Sequence, residues 1–238
     1  MKAGIIGYGV IGKATHKTVL NHYDVAIHDI QYETDISVVY DSEVVFICIT
    51  TVTNEDIDTL TDIINKLKQN SKCRIVIRST VPFGFFNDHP EVNYCPEFVR
   101  DRSAEEDSKN LPLFIGGPSL DLKTDRQIVE SDCATLELVK MFTNNIRSMM
   151  VVFANHFYDL AQHAGVDYDK VVEYYEKTDF FDQNYLECNK ELRAFGGKCL
   201  PKDLNYLIDT FKKLNLDQTL FNAIKEDNKK WPVTVRKS

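Results

Sequence analysis

The sequence predicts an α/β chain in which a doubly wound parallel sheet fills the first half and an all-helical second half begins with one long helix. Three observations support this. Strand-like and helix-like segments alternate through the first half. The segments "EVVFICIT" and "CRIVIRST" are continuous apolar runs rich in Val and Ile, as expected of parallel strands covered on both faces. From Cys133 onward no proline or glycine interrupts the chain until Gly165, and apolar residues recur at intervals of three and four, the signature of a long helix.

In order, "KAGIIGYGVIGKATHKTVLNH" reads as a strand that breaks into glycines and resumes as a helix to about Asn21, and "DVAIHDI" as a second strand ending at Asp29. "NEDIDTLTDIINKLKQN" sets Ile57, Leu60, Ile63, Ile64 and Leu67 on one side of a helix. "LPLFIGG" is a later strand, and "PSLDLKTDRQIVESD" reads as loop and transition. Past the long helix, which Gly165 stops, further helices are expected in "DYDKVVEYYEKT", "KDLNYLIDTFKKLN" and "LDQTLFNAIKEDNKKW". Two domains are expected, at residues 1–118 and 119–238.

The totals narrow the function classes. The 238 residues are 43% hydrophobic and 27% charged, with a formal net charge of −8 from 28 basic and 36 acidic side chains. That balance argues against a general binder of nucleic acid or anionic membrane, while leaving room for a local basic pocket. No basic leader followed by a long apolar run opens the chain, so neither a secretory signal nor a membrane span is expected, and the expected location is cytoplasmic. There the six cysteines would stay reduced; no paired CxxC spacing suggests zinc, so no metal is expected.

"GYGVIG" matches G-x-G-x-x-G through Gly7, Gly9 and Gly12. The match follows a strand, opens a helix, and is followed at the end of the next strand by Asp29, where a ribose-binding acid belongs. This is the phosphate-binding turn of a Rossmann-type domain: Gly7 permits the tight turn, Gly9 lets backbone N–H groups approach a pyrophosphate, and Gly12 allows close helix packing. Tyr8, Val10 and Ile11 complete the binding turn. Asp29 would accept hydrogen bonds from the ribose hydroxyls and repel a 2′-phosphate, and no arginine stands beside it, so NAD is favoured over NADP. A structural glycine turn without ligand is the alternative.

Several side chains are suited to chemistry. Thr80, in "STVPFGF", ends an apolar strand, where open parallel sheets face their ligand crevice; its hydroxyl would hold a water or merely cap a turn. Glu97, in "NYCPEFVRDRSAEED", is placed to act as a general base, and Arg100 to meet a substrate phosphate, with Asp101 beside it; a solvated loop explains the same residues. Lys140 and Asn144 lie four apart on the long helix, hence on one face. In "FGGKCLPKD", two glycines precede Cys199, and Pro201 fits the first turn of a helix. The helix dipole and the flanking Lys198 and Lys202 favour thiolate, which makes Cys199 the best candidate nucleophile in the chain. Asp203, four residues on, would share its pocket or simply complement the helix N-terminus.

Taken together, "GYGVIG", "STVP", "PEFVRD", "ELVKMFTNN" and "FGGKCLPKD" occur in the order seen in the nucleotide-sugar dehydrogenases, and the chain resembles the UDP-glucose/GDP-mannose dehydrogenase family from its first residues to about Lys230. The resemblance implies an NAD-linked, two-step oxidation of a sugar C6 alcohol to a carboxylate, with UDP-glucose or a near relative as substrate. It implies that Cys199 forms a thiohemiacetal and then a thioester, and that Lys140 and Asn144 stabilise oxyanions. Glu97 would assist water attack, with Thr80 and Asp203 organising the water. Glu97, Phe98, Arg100, Asp101, Lys140 and Asn144 would line the substrate site. A homodimer through the long helix 133–163 is also implied, for which Ile146, Met149, Met150, Phe153 and Phe157 offer a face; a core face within one subunit explains the same residues.

Three departures accompany the resemblance. The family usually has glutamate at the position of Asp101, the stretch between Gly117 and Cys133 is shortened, and the chain stops at Ser238 where a further α/β domain would begin. The expectation is therefore a short form lacking the C-terminal nucleotide-sugar-binding domain. Two other readings stay open: a β-hydroxyacid dehydrogenase-like single hydride transfer, which shares "KMFTNN" but needs no cysteine, and an NAD-binding relic without turnover.

Overall fold

The computed structural model describes residues 1–99, 104–177, 189–213, 215 and 218–232. The chain divides into two compact units, Met1–Lys140 and Met141–Ser238.

The first unit is built on a seven-stranded sheet in the order β2-β1-β3-β4-β5-β6-β7. Its strands are β1 (Lys2–Ile6), β2 (Asp24–His28), β3 (Val44–Ile47), β4 (Arg74–Ile77), β5 (Asn93–Tyr94), β6 (Leu113–Gly116) and β7 (Ile128–Ser131). All neighbouring pairs are parallel except β5 with β6, where Tyr94 opposes Gly116 in antiparallel register. The sheet is thus the expected doubly wound one, with one antiparallel pair inside it. β7 lies where the sequence reads as loop: "DRQIVESD" offers only four strand residues among acids and a basic side chain, and pairing with β6 is what orders them.

Side-chain alternation explains why the strands read as unbroken apolar runs. Ile6, Val45, Ile47, Ile75 and Ile77 enter one core with Leu60, Ile64 and Leu67 of helix α2 (Asn54–Asn70). Their alternates Ala3, Ile5, Val44, Phe46 and Val76 enter another with Val19 and Leu20, which follow helix α1 (Val10–Thr18). Both faces are covered, so both sets are apolar. Helix α2 begins with a capping box: the Thr53 hydroxyl accepts from the Asp56 amide while the Asp56 carboxylate accepts from the Thr53 amide. A short helix α3 (Ala104–Asn110) follows β5.

Helix α4 (Cys133–Ala164) is the long helix the sequence predicts, and the boundary between the two units falls within it. It ends in a Schellman arrangement, with Gly165 at φ 66° and the Val166 amide bonded to the Ala161 carbonyl at 2.9 Å. The second unit also holds α5 (Tyr168–Glu176), α6 (Cys199–Lys213) and α7 (Thr219–Asn228). Val151, Val152, Phe195, Leu204 and Ile224 form one of its cores, and Ala154, Ala161 and Tyr168 another. Among the described residues, no helix is long and apolar enough to cross a membrane.

Candidate active site

The glycine turn is the first part of the candidate site. Strand order reverses at β1, with β2 on one side and β3 on the other, and such switch points open a crevice at the carboxyl ends of the strands. Gly7 stands there at φ 89°, and a Cβ on it would come within 2.8 Å of the Cys48 carbonyl oxygen. A Cβ on Gly12 would run into the Gly7 carbonyl, so helix α1 packs on the turn as only glycine permits. Gly9 differs, because a Cβ there would meet nothing within 4 Å. It caps α1 without a side-chain hydrogen bond, and the first turn carries no acid. The first amides of α1 are left for an outside acceptor, a ready anion site. Val10 is exposed and Ile11 half-buried.

Asp29 is tied into this turn. One carboxylate oxygen accepts from the Tyr8 amide at 2.5 Å and the other from the Gln31 amide at 2.8 Å. These bonds, the one from Tyr8 foremost, hold its carboxyl below the usual aspartate value. Each oxygen keeps a lone pair for a further donor. Tyr8 is itself fixed, its hydroxyl 2.7 Å from His16 Nδ1. An open glycine cradle, free helix amides and an ionised acid together fit a dinucleotide.

A second group of predicted residues gathers in the same unit. Glu97 is buried, and its Oε1 accepts from the amides of Phe98 at 2.9 Å and Val99 at 3.1 Å. Its other carboxylate oxygen is ion-paired to Arg78, and its carbonyl oxygen accepts from Nζ of the buried Lys140. Lys140 also lies 5.5 Å from the centre of the Phe98 ring. Thr80 is buried, and its carbonyl accepts from the Thr51 hydroxyl at 2.6 Å. Arg100 and Asp101 lie outside the described residues.

The remaining predicted residues belong to the second unit. Cys199 is the first residue of α6 and is exposed, following Gly197 at φ 75°. Asp203, one turn on, has no solvent exposure, and its carboxylate accepts from the side-chain amide of the buried Asn144. Asn145 Nδ2 donates to the Met141 carbonyl at 2.7 Å and to the Asp203 carbonyl at 3.4 Å. Among the described cysteines, Cys199 is the exposed one. Loss of solvation pushes the Cys48 and Cys133 thiols up to about 11 and raises Cys73 as well, which makes those three poor nucleophiles near neutral pH.

Three contacts around the candidate site residues were not legible in the sequence. Arg78 was hidden at the end of an apolar run, although a charge directly following a strand covered on both faces has to be paired if it is buried, and that was its available signal. Asn145 stands beside the predicted Asn144 and braces the same backbone. Glu137, on α4, is buried and accepts from the Gly84 amide at 2.9 Å, which fastens the start of the long helix to the turn after Thr80. No sequence pattern marks it.

Residues 134–230 match the family profile described as "UDP-glucose/GDP-mannose dehydrogenase family, central domain". The UDP-glucose 6-dehydrogenase of Rickettsia felis is 27% identical over 226 residues, covering 80% of this chain and 48% of that protein. The GDP-mannose 6-dehydrogenase of Pseudomonas syringae pv. tomato is 29% identical over 188 residues, covering 67% of this chain and 42% of that protein. A solved UDP-glucose dehydrogenase from the hyperthermophilic archaeon Pyrobaculum islandicum shares the fold, with a TM-score of 0.79 at 20% identity over 96% of this chain and 68% of that one. The chain spans about half the length of the curated relatives it matches. By the profile match, residues 134–230 are similar to the central domain of the UDP-glucose/GDP-mannose dehydrogenase family, and these relatives extend that similarity over most of the chain.

Proposed function

We propose that the chain is an NAD-dependent nucleotide-sugar 6-dehydrogenase, with UDP-glucose the first substrate to test. The observation that carries this reading is the segment "FGGKCLPKD", which starts α6 with an exposed cysteine and buries Asp203 against Asn144. The similarity to both a UDP-glucose and a GDP-mannose enzyme supports the substrate class more strongly than the individual sugar. The chain acts in the cytoplasm, where its cysteines stay reduced.

In this reading Gly7, Tyr8, Gly9, Val10, Ile11, Gly12 and Asp29 hold NAD, with Thr80 three residues past the end of β4. NAD, when bound, would supply the hydride acceptor for each of the two oxidations, C6 alcohol to aldehyde and thiohemiacetal to thioester, one molecule for each. The chain's own residues do the rest. The Cys199 sulfur adds to the carbon of the C6 aldehyde as the thiol proton passes to the aldehyde oxygen, giving a thiohemiacetal that oxidation converts to a thioester. Lys140 and Asn144 stabilise the oxyanions. Glu97, with Thr80 and Asp203, orients the water whose attack releases the carboxylate and returns the thiol. Phe98, Arg100 and Asp101 contact the nucleotide sugar.

The reading includes a homodimer through helix 133–163. Leu138, Phe142 and Met149 of that helix are exposed apolar side chains, which a second copy would cover. Met150 packs instead against the core of Ala154, Ala161 and Tyr168. Incubating the chain with NAD and a panel of UDP- and GDP-sugars tests the function: NADH and a sugar acid are expected with at least one, and no NADH with any of them would reject it.

A further inference from the structure

Arg78 is among the most enclosed cations of the first unit, at 2% exposure, and it follows directly on β4. Its guanidinium reaches two residues of the segment that follows β5. Nη2 is ion-paired to the carboxylate of Glu97, and Nη1 donates to the Cys95 sulfur at 3.0 Å. Its backbone is fixed as well, the amide donating to the Ile47 carbonyl at 2.9 Å. Glu97 is therefore held from two directions: Arg78 takes the carboxylate, and Lys140 takes the carbonyl.

Burying an arginine in this way is costly unless both arms of the fork are satisfied. Cys95 is a weak acceptor, so it braces one arm without competing for the ion pair. The ion pair is left to the Glu97 carboxylate. A carboxylate bound to a rigid fork and to two backbone amides keeps one orientation, which is what a group that must aim a water molecule requires.

We propose that Arg78 is a positioning residue for Glu97, fixing the carboxylate that orients the hydrolytic water. This rests on the role given to Glu97 above. Arg78 acts on thioester hydrolysis and leaves the oxidation that precedes it untouched. Lysine at this position keeps the buried charge but cannot reach Glu97 and Cys95 together.

The test uses Arg78→Lys, chosen because it spares Glu97 an uncompensated buried charge, beside Glu97→Gln and the double variant. Arg78→Lys is expected to melt as the native chain does, to keep KM for the nucleotide sugar within about twofold, and to lower kcat by about 10- to 100-fold. Its first burst of NADH is retained, and mass spectrometry of the quenched reaction shows the sugar acyl group accumulating on Cys199. Because Arg78 works through Glu97, adding Arg78→Lys to Glu97→Gln costs nothing further. A merely structural arginine would depress burst and hydrolysis together, and that result overturns the proposal. So does full hydrolysis in Arg78→Lys, or an effect that adds to that of Glu97→Gln. A native chain that yields NADH beside an unaffected Arg78→Lys removes this inference alone; a native chain that yields none removes the function on which it stands.

Discussion

The side-chain amide of Asn144 donates to the carboxylate of Asp203, a group with no solvent exposure, and Nζ of the buried Lys202 stands 3.4 Å from the other carboxylate oxygen. A charge so enclosed is stable only while its partners remain. Asp203→Ala leaves Lys202 buried without its counter-ion and should lower the unfolding free energy by about 3 kcal/mol. Asp203→Asn also removes the counter-ion but keeps the shape and an acceptor for the Asn144 amide, and should cost less, about 2 kcal/mol. Urea midpoints for the two variants check the ranking.

Gly9 and Gly12 share a motif but do different work. Alanine at Gly12 drives its Cβ into the Gly7 carbonyl, so it should both destabilise the chain, by about 1–3 kcal/mol, and weaken dinucleotide binding. Alanine at Gly9 enters open space and should leave the melting temperature unchanged while weakening NAD binding. Thermal melts with and without NAD, together with calorimetric titration, separate the two effects.

Asp29→Ala removes the ionised acid that the Tyr8 and Gln31 amides hold in place. A lost hydrogen bond to a charged group should raise the Kd for NAD by about 10- to 100-fold. The preference against NADP should shrink with it, since the carboxylate no longer repels a 2′-phosphate. Titration with both dinucleotides reads the two effects.

Burial raises the Glu137 carboxyl above its ordinary value of 4.5, against the lowering effect of the Gly84, Phe86 and Phe85 amides. The folded chain therefore holds this proton more tightly than the unfolded chain does. Stability from this group is greatest below 4.5 and falls as pH rises from there to the raised folded value, beyond which it is constant. Glu137→Gln should remove that slope. Urea midpoints of the two proteins measured across the acid range should converge at low pH and separate as pH rises.

The first unit was legible because its signals are local. Glycines at Gly7, Gly9 and Gly12 and the apolar runs of β3 and β4 fix turn and strand without help from distant residues. The long helix was legible for the same reason, since nothing in it breaks the period before Gly165. β7 was not, because its four residues gain order only by pairing with β6. Arg78 and Glu137 were missed for a related reason. Whether a charged side chain is solvated or buried depends on what folds over it, and their partners, Glu97 and the Gly84 turn, lie 19 and 53 residues away along the chain.

The central claim is oxidation through a sulfur-bound intermediate, and counting reduced cofactor against product tests it most directly. With the responsive nucleotide sugar, the native chain should form two NADH for each sugar acid, and Cys199→Ser should lose acid formation by more than about 10³-fold while still binding NAD. One NADH per product, or a Cys199→Ser variant that forms acid at the native rate, would contradict the account.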